Sequence, residues 1–179
     1  MAKRGELENL FAQHGFTDFR WLKPKDIRVA QWVRLRCMFG CPAYGVKGTC
    51  PPNVPSIEQC RELFSEYDEI ALFHFQKALK DPAERVPWGR ETTLRFLNLE
   101  RDVFLAGYYK AFLISFGPCD QCDDCSGNRI GCKHKKSARP GADAMGIDVY
   151  ATARDVGYPI QVLRDYKETM NRYAFLMIE

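Results

Sequence analysis

The chain has 179 residues, of which 46% are hydrophobic and 13% aromatic, so it can bury a substantial core without disulfides. Its 26 basic and 23 acidic residues leave a formal charge of only +3, which gives no strong attraction for nucleic acid or membranes. The opening segment MAKRGELENLFAQHGF is charged where a signal peptide needs an apolar core, and no apolar run is long enough to span a bilayer. We therefore expect a single cysteine-rich domain over residues 1–179, cytoplasmic, with neither nucleic acid nor a membrane as partner.

Hydrophobic periodicity predicts helices that alternate with strands along the chain. Predicted helices cover 6–14, 56–67, 96–107 and 148–156, and the second of them begins with a capping box formed by Ser56 and Gln59. Predicted strands cover 26–36, 70–75, 108–116, 159–163 and 172–179. This order predicts an α/β fold: one layered domain with a mixed sheet of about four to five strands, flanked by helices and carrying cysteine-rich loops.

The first cysteine-rich loop spans 37–55 and contains four prolines and three glycines among nineteen residues. Cys37, Cys41 and Cys50 lie within it at spacings of three and eight intervening residues, which match neither a zinc knuckle nor a ferredoxin run. If these three thiols hold an iron-sulfur cube, one iron stays open to a fourth protein ligand, solvent or substrate, and the site would be reactive. Cys60 falls on the apolar face of the next helix, where a small buried hydrophobe is expected rather than a ligand.

The second cysteine-rich loop follows the predicted strand at 108–116. Cys119, Cys122 and Cys125 are separated by two residues each, and Cys132 follows after six more. Such spacing lets successive thiolates face one centre, as a 4Fe-4S cluster requires. Four thiolates could also hold a structural zinc ion, although zinc sites usually take two C-x2-C knuckles from separate hairpins. The spacing favours a 4Fe-4S cluster, with zinc as the alternative and disulfides as a minor one.

A basic run comes directly after these cysteines and has three possible roles. It could tune an anionic cluster, dock an acidic partner, or form an ordinary solvated loop; its members are Arg129, Lys133, Lys135, Lys136 and Arg139. The chain has only three histidines, so a zinc-hydrolase triad of histidines would need every one of them and is not expected. We expect His74 to be a hydrogen-bonded core residue and His134 to be exposed. Neither a phosphate loop nor a dinucleotide fingerprint is present.

Five segments together carry a family resemblance: WVRLRCMFGCPAYGVKGTCPP, ERDVFLAGYYKAF, GPCDQCDDCSGNRIGCKH, ARPGADAMGIDVYATARDVG and NRYAFLMIE. In these the chain resembles the prokaryotic family called domain of unknown function 2284, the predicted metal-binding proteins. The resemblance implies a small cysteine-rich protein of the kind found in many anaerobes, presumed to bind iron-sulfur clusters. It implies a first motif with Cys37, Cys41 and Cys50, and a second with the four later cysteines. The chain departs from the family at Lys135, where proline is common, and at 141–143, where Ser-Met-Glu is common.

The leading hypothesis is a 4Fe-4S protein that transfers electrons to a redox partner protein. It places one cluster on Cys119, Cys122, Cys125 and Cys132, and a second on Cys37, Cys41 and Cys50. One alternative is a redox enzyme whose three-cysteine cluster binds substrate at the open iron, assisted by Tyr44, Lys47 or Lys110. Another is a zinc-stabilised interaction module.

Overall fold

The computed structural model describes residues 4–179, which form five helices and one four-stranded sheet. The helices are α1 (Arg4–Gln13), α2 (Gln31–Gly40), α3 (Ile57–Ser65), α4 (Arg85–Leu105) and α5 (Val149–Asp155). The strands are β1 (Phe19–Leu22), β2 (Ile70–Lys77), β3 (Phe112–Ile114) and β4 (Met170–Met177). Within this part of the chain, no helix is both long enough and apolar enough to cross a membrane.

The sheet has the strand order β1-β2-β4-β3, and each neighbouring pair of strands is antiparallel. Its centre is the long β2–β4 ladder, in which Ile70 faces Met177. The predicted α/β class and strand number are confirmed, but the sheet is antiparallel and not mixed. Among residues 4–179, the one parallel pairing is an isolated bridge between Ser115 and Gly141, which ties the end of the second cysteine loop to the chain just after β3.

Both faces of the sheet are covered, which explains why β2 is apolar at successive positions. Ile70 and Leu72 belong to a core shared with α3 and α5, whereas Ala71 and Phe73 belong to a core shared with α1 and α4. Because side chains alternate across a strand, a strand between two helical layers needs apolar residues at both parities. The fold is therefore three-layered, with the sheet in the middle.

Capping signals located several helix boundaries correctly. Ser56 accepts a hydrogen bond from Gln59 N at 3.2 Å and donates its own N–H to Gln59 Oε1 at 2.9 Å, which is the predicted capping box. The helix predicted to stop at Gly107 ends at Leu105, and Gly107 has a positive φ of 105°. The same helix begins earlier than its apolar face suggested, at Arg85.

The predicted strand at 26–36 is wrong. Asp26 ends a short 3-10 helix, and the chain is extended only around Val29, which forms a bridge with Ile147. From Gln31 the chain is α2, and the buried positions Val33 and Cys37 lie one helical turn apart. The alternation of arginines with apolar residues mimicked a strand, whereas burial here follows the helical period.

The predicted strand at 159–163 is also wrong, and one real strand was missed. The segment is irregular and Val162 is 75% exposed. It has no strand edge available beside β4, because β2 and β3 occupy both of them. The missed strand is β1, whose four residues Phe19–Leu22 are too few for periodicity to detect.

Candidate metal centre

The first cysteine set lines a large cavity. Cys37 lies near the end of α2, Cys41 directly follows that helix, and Cys50 lies in the loop after it. Cys37 and Cys50 are buried, Cys41 is exposed, and all three line a cavity of about 800 Å³. Burial raises the pKa of Cys37, and burial together with the charges of Cys41 and Cys37 raises the pKa of Cys50 to about 12. Burial therefore favours the protonated form of the Cys37 and Cys50 thiols, and a metal ion would have to displace those protons.

The second cysteine set lies in the loop that follows β3, and its four thiols are partly buried. Burial raises the pKa of Cys119, and the neighbouring Cys132 and Cys122 raise it further. Cys125 differs from these, because hydrogen bonds from the backbone N–H groups of Gly127 and Gly48 lower the pKa of its thiol. It is the member of this set best prepared to be a thiolate, the form that binds metal.

The two cysteine loops pack directly against each other. Gly48 N donates to Cys125 Sγ at 3.5 Å, and Lys47 Nζ forms an ion pair with Asp120 Oδ1 at 3.2 Å. Glycine at position 48 allows this close approach, since a Cβ there would lie 3.0 Å from Asn128 O and would press against the backbone of the second loop. The fold thus brings together two motifs that are about 80 residues apart in sequence.

The end of the second loop is anchored to the core by an ion pair. Arg139 Nη2 lies 2.7 Å from Glu100 Oε2, and Arg139 Nε donates to Glu100 Oε1 at 2.9 Å. Glu100 also accepts a hydrogen bond from Leu113 N at 2.8 Å, so it joins α4, β3 and the loop. Arg139 was predicted to belong to a tuning, docking or solvated run, and the structure instead gives it this anchoring contact.

The remaining basic residues of the run are divided between local contacts and solvent. Arg129 donates to Cys132 Sγ at 3.6 Å and to Lys135 O at 2.9 Å. The side chains of Lys133 and Lys136 are exposed, and so is that of Lys135. Arg129 therefore supports a cysteine of the loop, while the three lysines form its solvent-facing charge.

No three histidine, cysteine, aspartate or glutamate side chains within residues 4–179 come together closely enough to hold a metal ion as they stand. The ligand sets predicted from the sequence remain predictions for this reason. The donor chemistry nevertheless suits a thiophilic metal, because all eight cysteines are free thiols. A buried polar atom also lies beside Cys50: Thr49 Oγ1 has no hydrogen-bond partner in the described chain. A sulfur-containing group bound by Cys50 would offer that hydroxyl an acceptor.

Several residues singled out in the sequence have clear surroundings. Cys60 is fully buried in α3, and its thiol lies 3.7 Å from Pro55 O. This confirms the prediction that Cys60 packs in the core. His74 is buried and lies 2.7 Å from Asp18 Oδ2 and 2.8 Å from Asn171 Oδ1, so it is a hydrogen-bonded core residue as predicted. His134 is exposed, also as predicted.

Of the three proposed assisting residues, only Tyr44 lines the large cavity with the first cysteine set. Lys47 is paired with Asp120 and lines a second cavity of about 410 Å³. Lys110 donates to Glu66 O at 3.1 Å and does not line either cavity. The structure thus separates the three residues that sequence reasoning grouped together.

Sequence reasoning assigned no role to three charged residues that line the large cavity together with the first cysteine set. Asp143 lines the large cavity, and its backbone oxygen lies 3.8 Å from Cys37 Sγ. Although Asp143 is accessible from the cavity, surrounding protein desolvates its carboxylate and raises its pKa. Arg85 and Arg172 line the same cavity. Asp143 and Arg172 fall within segments that carry the family resemblance, but residue type and spacing gave the three residues no shared role, because they come from the start of α4, the loop before α5 and β4.

Comparison with known proteins gives one match. The family model described as predicted metal-binding protein (DUF2284) matches residues 20–178, which is most of the chain. No curated protein and no solved structure matches it. With both cysteine loops inside the matched region, the chain belongs to the DUF2284 family of predicted metal-binding proteins.

Proposed function

We propose that the protein binds iron-sulfur clusters and serves in electron transfer. Cys119, Cys122, Cys125 and Cys132 would hold a 4Fe-4S cluster, and Cys37, Cys41 and Cys50 would hold a second one. Such clusters accept and release single electrons when bound. A redox partner protein would exchange electrons with this one, and a reducing cytoplasm is the compartment that keeps eight free thiols reduced.

The observation that carries this proposal is the contact between the two cysteine loops. Because Gly48 N donates to Cys125 Sγ, a backbone group of the first loop supports a thiol of the second. Amide donors to thiolate sulfurs stabilise anionic clusters and raise their potential. Seven thiols on two adjoining loops also exceed the four that one tetrahedral zinc site uses. The arrangement favours two neighbouring redox groups over a single structural zinc ion.

A second candidate is a redox enzyme in which the first cysteine set leaves one metal coordination position for substrate. The cavity of about 800 Å³ favours it, because Cys37, Cys41 and Cys50 all line this space. Cavities of this size accept small organic molecules. In this version Tyr44, which lines the same cavity, is the residue available to donate or hold a proton near the bound molecule.

Iron, acid-labile sulfide and zinc analysis of protein purified without oxygen tests the proposal. We expect iron and sulfide in equal amounts and little zinc. A colourless product loaded with zinc would overturn both candidates and favour a zinc-stabilised interaction module. Electron paramagnetic resonance of the reduced protein then counts the clusters.

Cysteine replacements assign the clusters to the two loops. We expect Cys50→Ala to remove one cluster signal and leave the other. Cys60→Ala is the matched control, since this cysteine is buried in the core of α3 and should lose no iron. If Cys50→Ala also loses no iron, the first loop is not a ligand set. A spectral change on adding cyanide, absent in Cys50→Ala, would support the enzyme candidate over simple electron transfer.

A further inference from the structure

Two arginines stand where the two cavities adjoin. Arg85 and Arg172 line both the cavity of about 800 Å³ and the cavity of about 410 Å³. Arg172 lies on β4 and is partly buried, and Arg85 is the exposed first residue of α4. The pair therefore reaches the space between the first cysteine set and Cys119, which lines the smaller cavity.

Neither arginine is held in a close ion pair in the part of the chain that the structure describes. Within residues 4–179, Arg85 and Arg172 form no ion pair, and the hydrogen bond of Arg172 goes to Met170 Sδ at 3.7 Å. The other arginines of the smaller cavity are neutralised, because Arg90 pairs with Asp123 and Arg139 with Glu100. Burial lowers the pKa of Arg172 and the nearby charge of Arg85 lowers it further, whereas Asp143 and Tyr150 act in the opposite direction. Asp143 acts on Arg172 only from beyond ion-pair distance, so two neighbouring cations that no carboxylate engages directly are a favourable place for an anion.

The residues that line the larger cavity indicate which class of anion would bind to the two arginines. Guanidinium groups bind carboxylates and phosphates through paired hydrogen bonds. Three arginines and two aspartates line the cavity, so it has an excess of only one positive charge, which suits a monoanion better than a polyphosphate. The rest of the wall is largely apolar and includes Phe39, Phe116 and Leu163. A carboxylate with an apolar body matches both parts of this lining.

We propose that Arg85 and Arg172 bind the carboxylate of a small organic monoanion whose apolar part lies in the larger cavity, beside Cys37, Cys41 and Cys50. Anion binding depends on the arginine pair alone. The role of this molecule as a substrate rests on the proposed iron-sulfur function, specifically on its enzyme form. The site would then fix one end of the molecule and direct the other end toward the cysteine-lined wall.

Isothermal titration calorimetry with phenylacetate tests the site on protein purified without oxygen. We expect saturable binding of phenylacetate and at least tenfold weaker binding of its neutral counterpart phenylacetamide, as expected for a charge-assisted hydrogen-bonded pair. Arg172→Gln and Arg85→Gln should each weaken the binding of phenylacetate by about tenfold or more. Both substitutions should change the binding of phenylacetamide little, because it carries no charge. Arg172→Lys keeps the charge but not the paired hydrogen bonds, so it should weaken binding less than Arg172→Gln. Arg101→Gln removes an exposed arginine of α4 and should bind phenylacetate as the wild type does.

The possible outcomes test the anion site separately from the proposed iron-sulfur function. Equal binding of acid and amide, absence of phenylacetate binding, or wild-type binding in folded Arg172→Gln would overturn the proposal. Inorganic phosphate binding as tightly as phenylacetate would overturn the assignment to a carboxylate. If phenylacetate binds to protein that contains no iron, the anion site stands and the proposed function fails. A phenylacetate-induced change in the paramagnetic resonance signal that Cys50→Ala abolishes would support both.

Discussion

Replacing Arg139 with methionine should destabilise the protein by about 3–5 kcal/mol, because it leaves the carboxylate of Glu100 buried without its cation. The Glu100 side chain is only 6% exposed and that of Arg139 16% exposed, so water cannot fully solvate the charge that remains. The guanidinium also lies 5.0 Å from the ring centroid of Phe112, a contact that methionine would only partly replace. For a chain of this length, each kcal/mol shifts the midpoint by about 2–4 °C, so thermal unfolding should occur roughly 6–20 °C lower.

Thermal unfolding followed by circular dichroism measures this effect, with the iron content of each sample determined alongside. Lys136→Met is the matched control, since it removes an exposed charge from the same loop and should shift the midpoint little. Glu100→Gln removes the buried charge but keeps an oxygen that can accept from Leu113 N. The double variant Arg139→Met/Glu100→Gln should therefore be more stable than Arg139→Met alone. A midpoint for Arg139→Met equal to that of Lys136→Met, or a double variant no more stable than Arg139→Met, would refute the reasoning.

Two further predictions concern a backbone turn and a surface carboxylate. Gly146→Ala should destabilise by about 2–4 kcal/mol in urea denaturation, because Gly146 has φ +74° and a Cβ there would overlap a side chain of α3. Gly157 has φ +79° with open space around it, so Gly157→Ala should lower the free energy of unfolding by only about 1–2 kcal/mol. Equal losses for Gly146→Ala and Gly157→Ala would contradict this account. Burial alone would raise the pKa of Glu69, but hydrogen bonds from Lys23 and Arg4 lower it below its usual range. A carboxylate with a lowered pKa stabilises the fold when the pH is above its unfolded-state pKa, and this stabilisation is lost as the pH falls. Glu69→Gln should therefore lower the free energy of unfolding by about 1 kcal/mol at pH 7 and by less below about pH 4. A deficit independent of pH would disprove this.

Local signals identified most of the fold. The apolar runs that became β2 and β4 were predicted because strands buried on both faces need no polar alternation. The capping box at Ser56 and the glycine at 107 located helix ends because they satisfy backbone groups through neighbours in sequence. The segment at 26–36 failed for the opposite reason. Its side chains alternate like a strand, and only burial against the rest of the molecule selects α2.

At the candidate site, too, some features could be predicted from local sequence and others depend on how distant segments pack. Cysteine spacing picked out the second loop, the three cysteines in a glycine- and proline-rich segment picked out the first, and the apolar face of α3 correctly separated Cys60 from both. Spacing could not show that the loops touch through Gly48 and Cys125, since that contact depends on how distant segments pack. It also assigned Arg139 to a surface run, because Glu100 lies 39 residues earlier in the chain.

What the sequence by itself determined is the family, the thiol-rich loops and most of the elements, since those depend on residue type and on neighbours within a few positions. What only the tertiary structure decided is the order of the strands, the junction of the two cysteine loops, and the position of Arg85 and Arg172, which form no ion pair within residues 4–179, on the same cavity as Cys37. Those features depend on burial and on charges brought together from distant segments. Neither spacing nor periodicity carries that information.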